Sequence, residues 1–290
     1  RPARQRQPDH RCARLRPFSE EMISVFRTIL TILTAIVVTI FLGTAVIVAG
    51  LLGVEDKPGG IFDKVPRWWS AAVLWAAGIK VRVHGWENVD KGKPHIFASN
   101  HVSWFDVPSL AKVLPRYKFV AKAELFKVPI FGRGMRAAGM IEIQRDNRKA
   151  AFGAYEVAAE RIRGGNSVVV FPEGTRGREY ALRPFKKGPF VLAVAAGVPI
   201  VPIIVHGTIE IMKKGSLWAH PGTIDIHLLE PVETAGVDYD HREALMLKVR
   251  ERMAEAMRRV YGIEPLPIKP SKLSASVESV SSATDPTETR

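Results

Sequence analysis

The longest hydrophobic stretch of the chain covers residues 28–54, which include no charged side chain over 27 positions. Folded as a helix, this stretch would extend about 40 Å, enough to cross a hydrocarbon core of roughly 30 Å with some tilt. A soluble helix of that length would show a polar face, and a secretory signal has a much shorter apolar segment. The pattern therefore predicts an N-terminal hydrophobic helix that anchors the chain in a membrane.

A second apolar stretch, residues 65–79, follows a short linker that contains glycine and charged residues. It is too short to span a bilayer comfortably, and it contains Trp68, Trp69 and Trp75, tryptophans that favour the headgroup level. The two stretches predict an anchor over residues 22–79, built either as a helical hairpin or as a span followed by an interfacial helix. Basic residues flank both ends of the long stretch, so their count leaves the orientation open.

Beyond residue 79 the pattern changes to short β-rich runs that alternate with helical or loop stretches. The runs predict seven strands, at residues 80–83, 95–99, 118–121, 140–143, 167–171, 200–205 and 223–228. The helical stretches are residues 107–113, 148–163, 188–196 and 242–261. Three strands are almost wholly apolar, as expected for strands covered on both faces. We therefore predict an α/β fold over residues 80–263, with a mixed, mostly parallel sheet flanked by helices.

Composition and charge narrow the class of protein. With 47% hydrophobic residues, 23 Gly and one Cys, the chain is neither disordered nor collagen-like, and it cannot be a disulfide scaffold. Its 42 Lys and Arg exceed its 29 Asp and Glu, which gives a formal net charge of +13 at pH 7. By itself this charge fits nucleic acid, an anionic membrane surface or a phosphorylated substrate equally well.

The two ends of the chain differ from its body. Residues 1–21 are rich in Arg and show no apolar period, and the chain opens on Arg, so we expect the native start at Met22, with a leader or a misplaced start upstream of it. Residues 264–290 are rich in Ser, Thr and Pro and predict a disordered tail. The positive charge is densest in residues 111–150, where it alternates with apolar side chains. That segment predicts a surface laid on anionic lipid.

Catalytic and binding residues are expected just after the carboxyl ends of the strands, because ligands of such sheets bind there. The strand at 95–99 is followed by Asn100, His101 and, five residues after the histidine, Asp106. Histidine is suited to take a proton near neutral pH, and a carboxylate on its other nitrogen fixes its tautomer. Residues five apart are about 140° out of phase on a helix. We therefore expect His101 on the turn and Asp106 in the first turn of the next helix.

The same spacing recurs at His220 and Asp225. A Pro-Gly turn separates these two residues, and Asp225 lies in an alternating strand. We interpret the second pair as part of a surface strand without a catalytic role. The spacing alone is therefore weak evidence for a reactive pair.

A second polar loop follows the strand at 167–171. Residues 172–177, Pro-Glu-Gly-Thr-Arg-Gly, offer backbone N–H groups, the Thr175 hydroxyl and the planar guanidinium of Arg176. Such a loop can cradle a phosphate. Arg145, just after the strand at 140–143, would add a second guanidinium at the same edge of the sheet.

Four segments resemble, in family order, the sequence blocks of the glycerolipid acyltransferases, the family that includes the 1-acylglycerol-3-phosphate acyltransferases. They are residues 100–106, with the Asn-His-x4-Asp signature, then 139–145, 171–176 and 198–203. The resemblance implies that His101 is a general base oriented by Asp106. It also implies a site for the acceptor phosphate, formed by Arg145, Glu173, Gly174, Thr175 and Arg176.

The implied reaction is transfer of a fatty acyl group from acyl-CoA or acyl-carrier protein to the sn-2 hydroxyl of 1-acylglycerol-3-phosphate, which gives phosphatidic acid. Direct transfer is favoured over a covalent acyl-enzyme, because the sequence has no G-x-S-x-G elbow and its one cysteine, Cys12, lies in the leader. The reaction needs no cofactor or metal. Since both donors are cytosolic, we expect a membrane-bound protein whose catalytic domain faces the cytoplasm.

Other interpretations stay open at this point. Gly177 and Gln144 stand where the family often has Ser and an acidic residue, so the acceptor could be another lysolipid, such as a lysophospholipid or a lyso-ornithine-type lipid. A hydrolase could use the same His–Asp pair with water. A basic membrane protein that binds nucleic acid or anionic lipid is the non-enzymatic alternative. We expect anionic membrane lipids, rather than nucleic acid, as partners.

Overall fold

The computed structural model describes residues 18–144 and 148–267, and its centre is a seven-stranded sheet. The strands are β1 Ile79–His84, β2 Ile96–Ser99, β3 Tyr117–Lys122, β4 Ile141–Ile143, β5 Ser167–Val170, β6 Ile200–His206 and β7 Gly222–Leu228. The seven predicted strands are confirmed, and no end differs by more than one residue. Runs of β-branched and apolar residues suit the pleated, buried surface that these strands form.

The strands lie in the order β1-β7-β6-β2-β5-β3-β4. Neighbours run parallel except for β6 and β7, which pair antiparallel with His206 opposite Asp225. The sheet is therefore mixed and mostly parallel, as predicted. Because β2 to β6 all run in one direction, their carboxyl ends form a single edge, and the loops that carry the predicted chemistry leave from that edge.

Helices connect the strands. They are α1 Phe18–Val38, α2 Thr44–Leu51, α3 Ile61–Ala76, α4 Asp106–Val113, α5 Phe131–Ala137, α6 Arg148–Arg163, α7 Gly188–Ala196, α8 Thr208–Ile211 and α9 Arg242–Tyr261. The four helices predicted after residue 80 correspond to α4, α6, α7 and α9 and are confirmed.

Both faces of the sheet are covered. On one face, α6, α7 and α9 pack against Ile96 and Val168. On the other face, α3 and α4 pack against Phe97 and Val169. Consecutive residues of β2 and β5 thus point into different cores, which explains why these strands are apolar throughout.

The N-terminal helix is long and largely uncovered. A π-helical turn, Thr39–Gly43, joins α1 to α2, so the two form one continuous helix. In the described part of the chain this is the one helix long and apolar enough to cross a membrane, over Met22–Leu51, and 11% of its most apolar stretch is buried. It is therefore a candidate membrane anchor, in the place that the uncharged run predicts.

The second apolar stretch forms α3. This helix begins four residues before the start of the predicted stretch and ends three residues before its end, because Ile79 already belongs to β1. Val73 and Leu74 of α3 are buried in the same core as Phe97. Trp68 and Trp75 are exposed on the outside of the helix. One side of α3 therefore completes the α/β core, and the other carries two uncovered tryptophans.

The basic segment at 111–150 does not form one continuous surface. Lys118 is fully buried, and its ammonium lies 3.0 Å from Asp56 Oδ2 and 2.9 Å from the Ala138 carbonyl. Burial lowers the pKa of Lys118. Phe126 is buried as well. The sequence pattern does not predict the burial of Lys118 and Phe126, because neighbouring side chains in short elements alternate between the interior and the surface.

Some predictions fall wholly or partly on residues outside those described. The predicted leader at 1–21 lies outside as far as residue 17, and α1 begins at Phe18. The predicted tail at 264–290 lies outside from residue 268 onward. Arg145 of the predicted phosphate site lies outside the described residues too.

Candidate active site

The two polar loops predicted to carry the chemistry lie side by side. Strands β2 and β5 pair in parallel, with Ala98 opposite Val170. Their carboxyl ends lead into the turn with His101 and into the loop with Glu173 and Arg176. Two segments that are distant along the chain thus meet at the centre of the sheet edge.

His101 lies on the turn after β2, and Asp106 is the first residue of α4, the arrangement that the spacing predicts. The ring Nδ1 of His101 lies 2.8 Å from Asp106 Oδ2. The same oxygen accepts backbone hydrogen bonds from Val102 at 2.7 Å and Ser103 at 2.8 Å, so the turn itself holds the carboxylate. Asp106 is fully buried, whereas 14% of the His101 side chain is exposed. With Nδ1–H bound to Asp106, Nε2 carries the lone pair that can accept a proton.

The loop after β5 holds His101 from the other side. The His101 backbone N–H donates to Glu173 Oε1 at 2.9 Å, and its carbonyl accepts from the Gly177 N–H at 2.7 Å. The imidazole stacks on Phe171, with centroids 4.1 Å apart and an interplanar angle of 21°. Backbone and ring are therefore both fixed, which is what a preorganised base requires.

Glu173 is 4% exposed, and its second carboxylate oxygen accepts the Arg183 backbone N–H at 3.4 Å. Burial raises the pKa of this carboxyl to about 7, although its two backbone hydrogen bonds favour the charged form. The resemblance assigns Glu173 to the phosphate site, but the structure directs its carboxylate to the backbone of His101. We therefore describe Glu173 as a positioning residue for His101.

Two buried polar side chains tie the histidine turn to its surroundings. The Asn100 amide makes a pair of hydrogen bonds with Val205 of β6: Nδ2 donates to the carbonyl at 3.0 Å, and Oδ1 accepts the N–H at 2.8 Å. The Ser103 hydroxyl donates to the Met212 carbonyl at 2.8 Å. The turn is thus anchored to the sheet edge and to the loop that follows α8.

Arg176 lies over the ring of Trp104, with Cζ 4.5 Å from the ring centroid. Trp104 belongs to the same turn as His101, so the guanidinium lies against that turn. The Lys214 ammonium donates to the Arg176 carbonyl at 2.6 Å and brings a second positive charge. The aromatic face attracts the guanidinium, whose planar fork of N–H groups is suited to bind a phosphate.

The other predicted phosphate-site residues shape the loop. Gly174 has a φ of +77°, in the left-handed region that glycine favours, and an added Cβ would lie 3.2 Å from Lys186 Cγ. Thr175, the next residue, is exposed. The glycine therefore turns the chain outward just before the threonine and Arg176.

The second histidine–aspartate spacing has a different environment. Asp225 lies in β7, and its carboxylate receives a bidentate pair of bonds from Arg82 at 2.8 and 2.7 Å and one from His84 at 2.9 Å. The Arg82 hydrogen bonds hold the pKa of Asp225 below its ordinary value. The carboxylate thus joins β7 to β1, as the interpretation of a surface strand implies.

Sequence reasoning missed three side chains of the candidate site: Phe171, Trp104 and Lys214. The first two lie within the segments that carry the resemblance, and an aromatic residue next to a candidate base is a signal that was available. Lys214 gave no such signal, because only the fold brings the loop after α8 to Arg176. Within residues 18–144 and 148–267, no group of three or more His, Cys, Asp or Glu is placed to hold a metal ion.

The fold and the site together define an α/β protein with a hydrogen-bonded His–Asp pair, whose aspartate is buried, and an arginine at adjacent strand ends. A family model described as Acyltransferase matches residues 80–206, which contain all of these groups. The crystal structure of the 1-acyl-sn-glycerophosphate (LPA) acyltransferase PlsC from Thermotoga maritima matches with a TM-score of 0.71 and 25% identity, over 87% of this chain and 100% of that one.

Two curated relatives narrow the assignment of the chain to one acyltransferase family. The chain is 34% identical over 199 residues to the human 1-acyl-sn-glycerol-3-phosphate acyltransferase alpha, across 68% of this chain and 70% of that protein. It is 32% identical over 229 residues to the chloroplastic 1-acyl-sn-glycerol-3-phosphate acyltransferase BAT2 of Brassica napus, across 75% of this chain. The chain therefore belongs to the 1-acyl-sn-glycerol-3-phosphate acyltransferase family. It spans 65% of the Brassica protein and 53% of the related LPAT1 of Arabidopsis thaliana.

Proposed function

We propose that this protein transfers a fatty acyl group from acyl-CoA or acyl-carrier protein to the sn-2 hydroxyl of 1-acylglycerol-3-phosphate, giving phosphatidic acid for phospholipid biosynthesis. The observation that carries the proposal is the His101–Asp106 pair, 2.8 Å apart, at the strand edge that also presents Arg176. The activity for which the relatives are named supports the choice of acceptor.

In the proposed reaction, His101 Nε2 takes the proton of the acceptor hydroxyl while the hydroxyl oxygen attacks the thioester carbonyl. The C–S bond then breaks, and protonated His101 returns the proton to the departing thiolate. Asp106 stays ionised and stabilises the imidazolium between the two steps. The products are the new oxygen ester and a free thiol, so this chain's own residues balance the proton without a cofactor or metal.

Positioning must supply much of the rate, because a general base alone contributes about 10²- to 10⁴-fold. Arg176 is the proposed ligand of the acceptor phosphate, with the Thr175 hydroxyl and the N–H groups of the loop around Gly174 as further donors. The resemblance adds Arg145. Fixing the phosphate fixes the hydroxyl of the same small molecule relative to His101.

We infer that the N-terminal helix and α3 form a membrane hairpin that does not cross the bilayer. The two helices lie antiparallel. The Arg27 guanidinium donates to the Ala76 carbonyl at 3.2 Å, and the Trp69 indole, earlier in α3, donates to the Thr39 hydroxyl, later in the long helix, at 2.9 Å.

The long helix also touches the α/β domain near both of its ends. The Thr28 hydroxyl accepts the Ala219 N–H, and a Cβ on Gly50 would lie 3.5 Å from Ala137. About 33 Å of helix separates these contacts. A helix held to the domain over that length lies along one membrane surface, because crossing would carry the domain into the lipid.

The catalytic domain is proposed to face the cytoplasm, where the thioester donors are. Protease treatment of intact, right-side-out vesicles tests this orientation through the C-terminal tail. The tail is expected to be protected. Cleavage of the tail in sealed vesicles would contradict the orientation without touching the proposed reaction.

The proposed acceptor is tested with membranes that contain the overproduced protein, labelled acyl-CoA or acyl-carrier protein, and a panel of lysolipids. 1-Acylglycerol-3-phosphate is expected to give phosphatidic acid at the highest kcat/KM. A preference for a lysophospholipid or a lyso-ornithine-type lipid would support acyl transfer as the reaction but show that the proposed acceptor is wrong. Release of free fatty acid without an acceptor would show a hydrolase and contradict the proposal.

A further inference from the structure

The loop between α8 and β7 carries bulky apolar side chains that the protein leaves uncovered. Leu217 is 79% exposed and Trp218 is 51% exposed. Just before them lie two exposed lysines, Lys213 and Lys214. Tryptophan favours the headgroup level of a bilayer, and lysine is attracted to anionic lipid. The composition of the loop tip thus matches an anionic membrane interface.

Hydrogen bonds within the loop fix this tip. The Ser216 N–H donates to the Lys213 carbonyl at 3.0 Å, and Gly215 has a φ of +94°, which glycine accommodates. The Ser216 hydroxyl accepts the Trp218 N–H at 3.1 Å. The apolar pair is therefore presented on a preformed turn, so little further ordering is needed to bring it to a surface.

One end of the loop is bonded to the candidate membrane helix. The Ser24 hydroxyl donates to the Ala219 carbonyl at 3.3 Å, and the Ala219 N–H donates to the Thr28 hydroxyl at 2.8 Å. Ser24 and Thr28 are buried, whereas Ile23 and Phe26 of the same helix are exposed. The uncovered apolar side chains of helix and loop therefore flank one junction.

The other end of the loop is bonded to the candidate active site. Its Met212 carbonyl accepts the Ser103 hydroxyl at 2.8 Å, in the turn that carries the His–Asp pair. Its Lys214 ammonium donates to the carbonyl of Arg176, the proposed phosphate ligand, at 2.6 Å. A single short loop thus contacts the membrane helix, the histidine turn and the phosphate loop.

We propose that residues 212–219 form a membrane-inserting loop whose partner is an anionic lipid bilayer. Leu217 and Trp218 enter the interface, Lys213 attracts lipid phosphates, and Lys214 places the inserted tip against the backbone of Arg176. The loop thereby sets the depth at which the phosphate site meets the bilayer. The inference rests on the proposed function, since its role in catalysis requires an acceptor drawn from the membrane.

Insertion is tested with a fluorescent label on Leu217→Cys in a Cys12→Ser background, which leaves one thiol in the chain. The matched control is Leu247→Cys on α9, where the leucine is 45% exposed. On vesicles of equal parts phosphatidylcholine and phosphatidylglycerol, the label at 217 is expected to be quenched by brominated acyl chains and shielded from aqueous iodide. The label at 247 is expected to stay open to iodide. A label at 217 that stays open to iodide on vesicle-bound protein would overturn the proposal.

The catalytic consequence is tested with Leu217→Ser and the control Leu247→Ser. Loss of one inserted leucine is expected to raise the apparent KM for vesicle-borne lysophosphatidate about tenfold. The kcat/KM for a water-soluble, short-chain lysophosphatidate is expected to stay unchanged, and Leu247→Ser is expected to change neither value. An equal loss with both acceptors, or shielding of the label at 217 by acyl-CoA without vesicles, would show a donor-binding loop and overturn the inference.

The two proposals fail in different ways. If the wild-type protein makes no phosphatidic acid, the proposed function is wrong, and the quenching experiment still decides whether the loop inserts. If phosphatidic acid forms but the label at 217 remains in water, the loop proposal alone is wrong.

Discussion

The chain contains one histidine–aspartate spacing twice, and the two copies lie in different structures. His101 and Asp106 bond through Nδ1 and Oδ2, and the carboxylate is fully buried. Asp225, five residues after His220, gives its carboxylate to strand β1 instead. The spacing is identical, so the backbone around each pair makes the difference.

In the first pair, a turn folds the chain back between the two residues. The N–H groups of Val102 and Ser103 point at the Asp106 carboxylate, and α4 begins there. In the second pair, the aspartate is the fourth residue of an extended strand, and extended residues advance about 3.4 Å each. A buried carboxylate held by a turn therefore distinguishes the first pair from the second, and residues at and around the two pairs can be tested one at a time.

Among substitutions that keep His101, Asp106→Asn is expected to have the largest effect. The amide cannot stabilise an imidazolium as a carboxylate does, and its NH₂ group favours the wrong tautomer. We expect a loss of about 10³- to 10⁴-fold in kcat, measured as phosphatidic acid formed by protein of verified folding. A loss below about tenfold would show that the carboxylate does not orient the base.

The matched change in the second pair is Asp225→Asn, which removes a half-exposed ion pair on the strand surface. We expect kcat/KM within about twofold of wild type, and a loss of up to about 1 kcal/mol in the free energy of unfolding. A large loss of kcat/KM in this variant would contradict the view that the first pair alone takes part in catalysis.

Arg176→Ala tests whether the first pair has a phosphate site beside it. Loss of one charge-assisted contact is expected to lower kcat/KM for 1-acylglycerol-3-phosphate by about 10- to 100-fold, mostly through KM. The control is Arg259→Ala, because Arg259 is an exposed arginine on α9. Equal kinetics for the two variants would remove Arg176 from the site.

Glu173→Gln tests the support behind His101 through the pH dependence of stability. Burial raises the pKa of Glu173 from 4.5 to about 7, so between these pH values the folded protein holds a proton that the unfolded chain has lost. Stability from this group is therefore full below about pH 4.5 and falls as the pH rises through 7, by on the order of 3 kcal/mol.

The glutamine variant cannot ionise, so its unfolding free energy in detergent is expected to change less between about pH 5 and 8. Glu142→Gln, at a surface ion pair with Arg136, is the control and is expected to keep the wild-type slope. An unchanged slope in Glu173→Gln would mean that the buried carboxyl does not titrate in this range.

Much of the fold could be predicted from the sequence because local patterns determine it. Buried strands need apolar β-branched runs, and the long uncharged stretch needs a helix, so these elements were located within a few residues. The His101–Asp106 geometry was also predictable, since the two positions are separated by a turn that leads into a helix.

Contacts between distant segments could not be predicted in the same way. Lys118 pairs with Asp56, although α3, β1, β2 and α4 separate the two residues in the chain. Glu173 meets the His101 backbone only because β5 lies beside β2. Local patterns also do not say which side of α3 faces protein, so its contribution to the core was missed. The uncovered pair at Leu217 and Trp218 becomes meaningful only once the loop is seen bonded to Thr28.

The most direct test of the reactive pair compares His101→Ala with His220→Ala in single-turnover acyl transfer to 1-acylglycerol-3-phosphate, with vesicle binding and folding verified for both. His101→Ala is expected to lose at least about 10³-fold of the wild-type rate, because both the base and the positioned proton donor disappear. His220→Ala is expected to keep a rate within about twofold of wild type. Transfer retained by His101→Ala, or an equal loss in both variants, would contradict the assignment of the catalytic base.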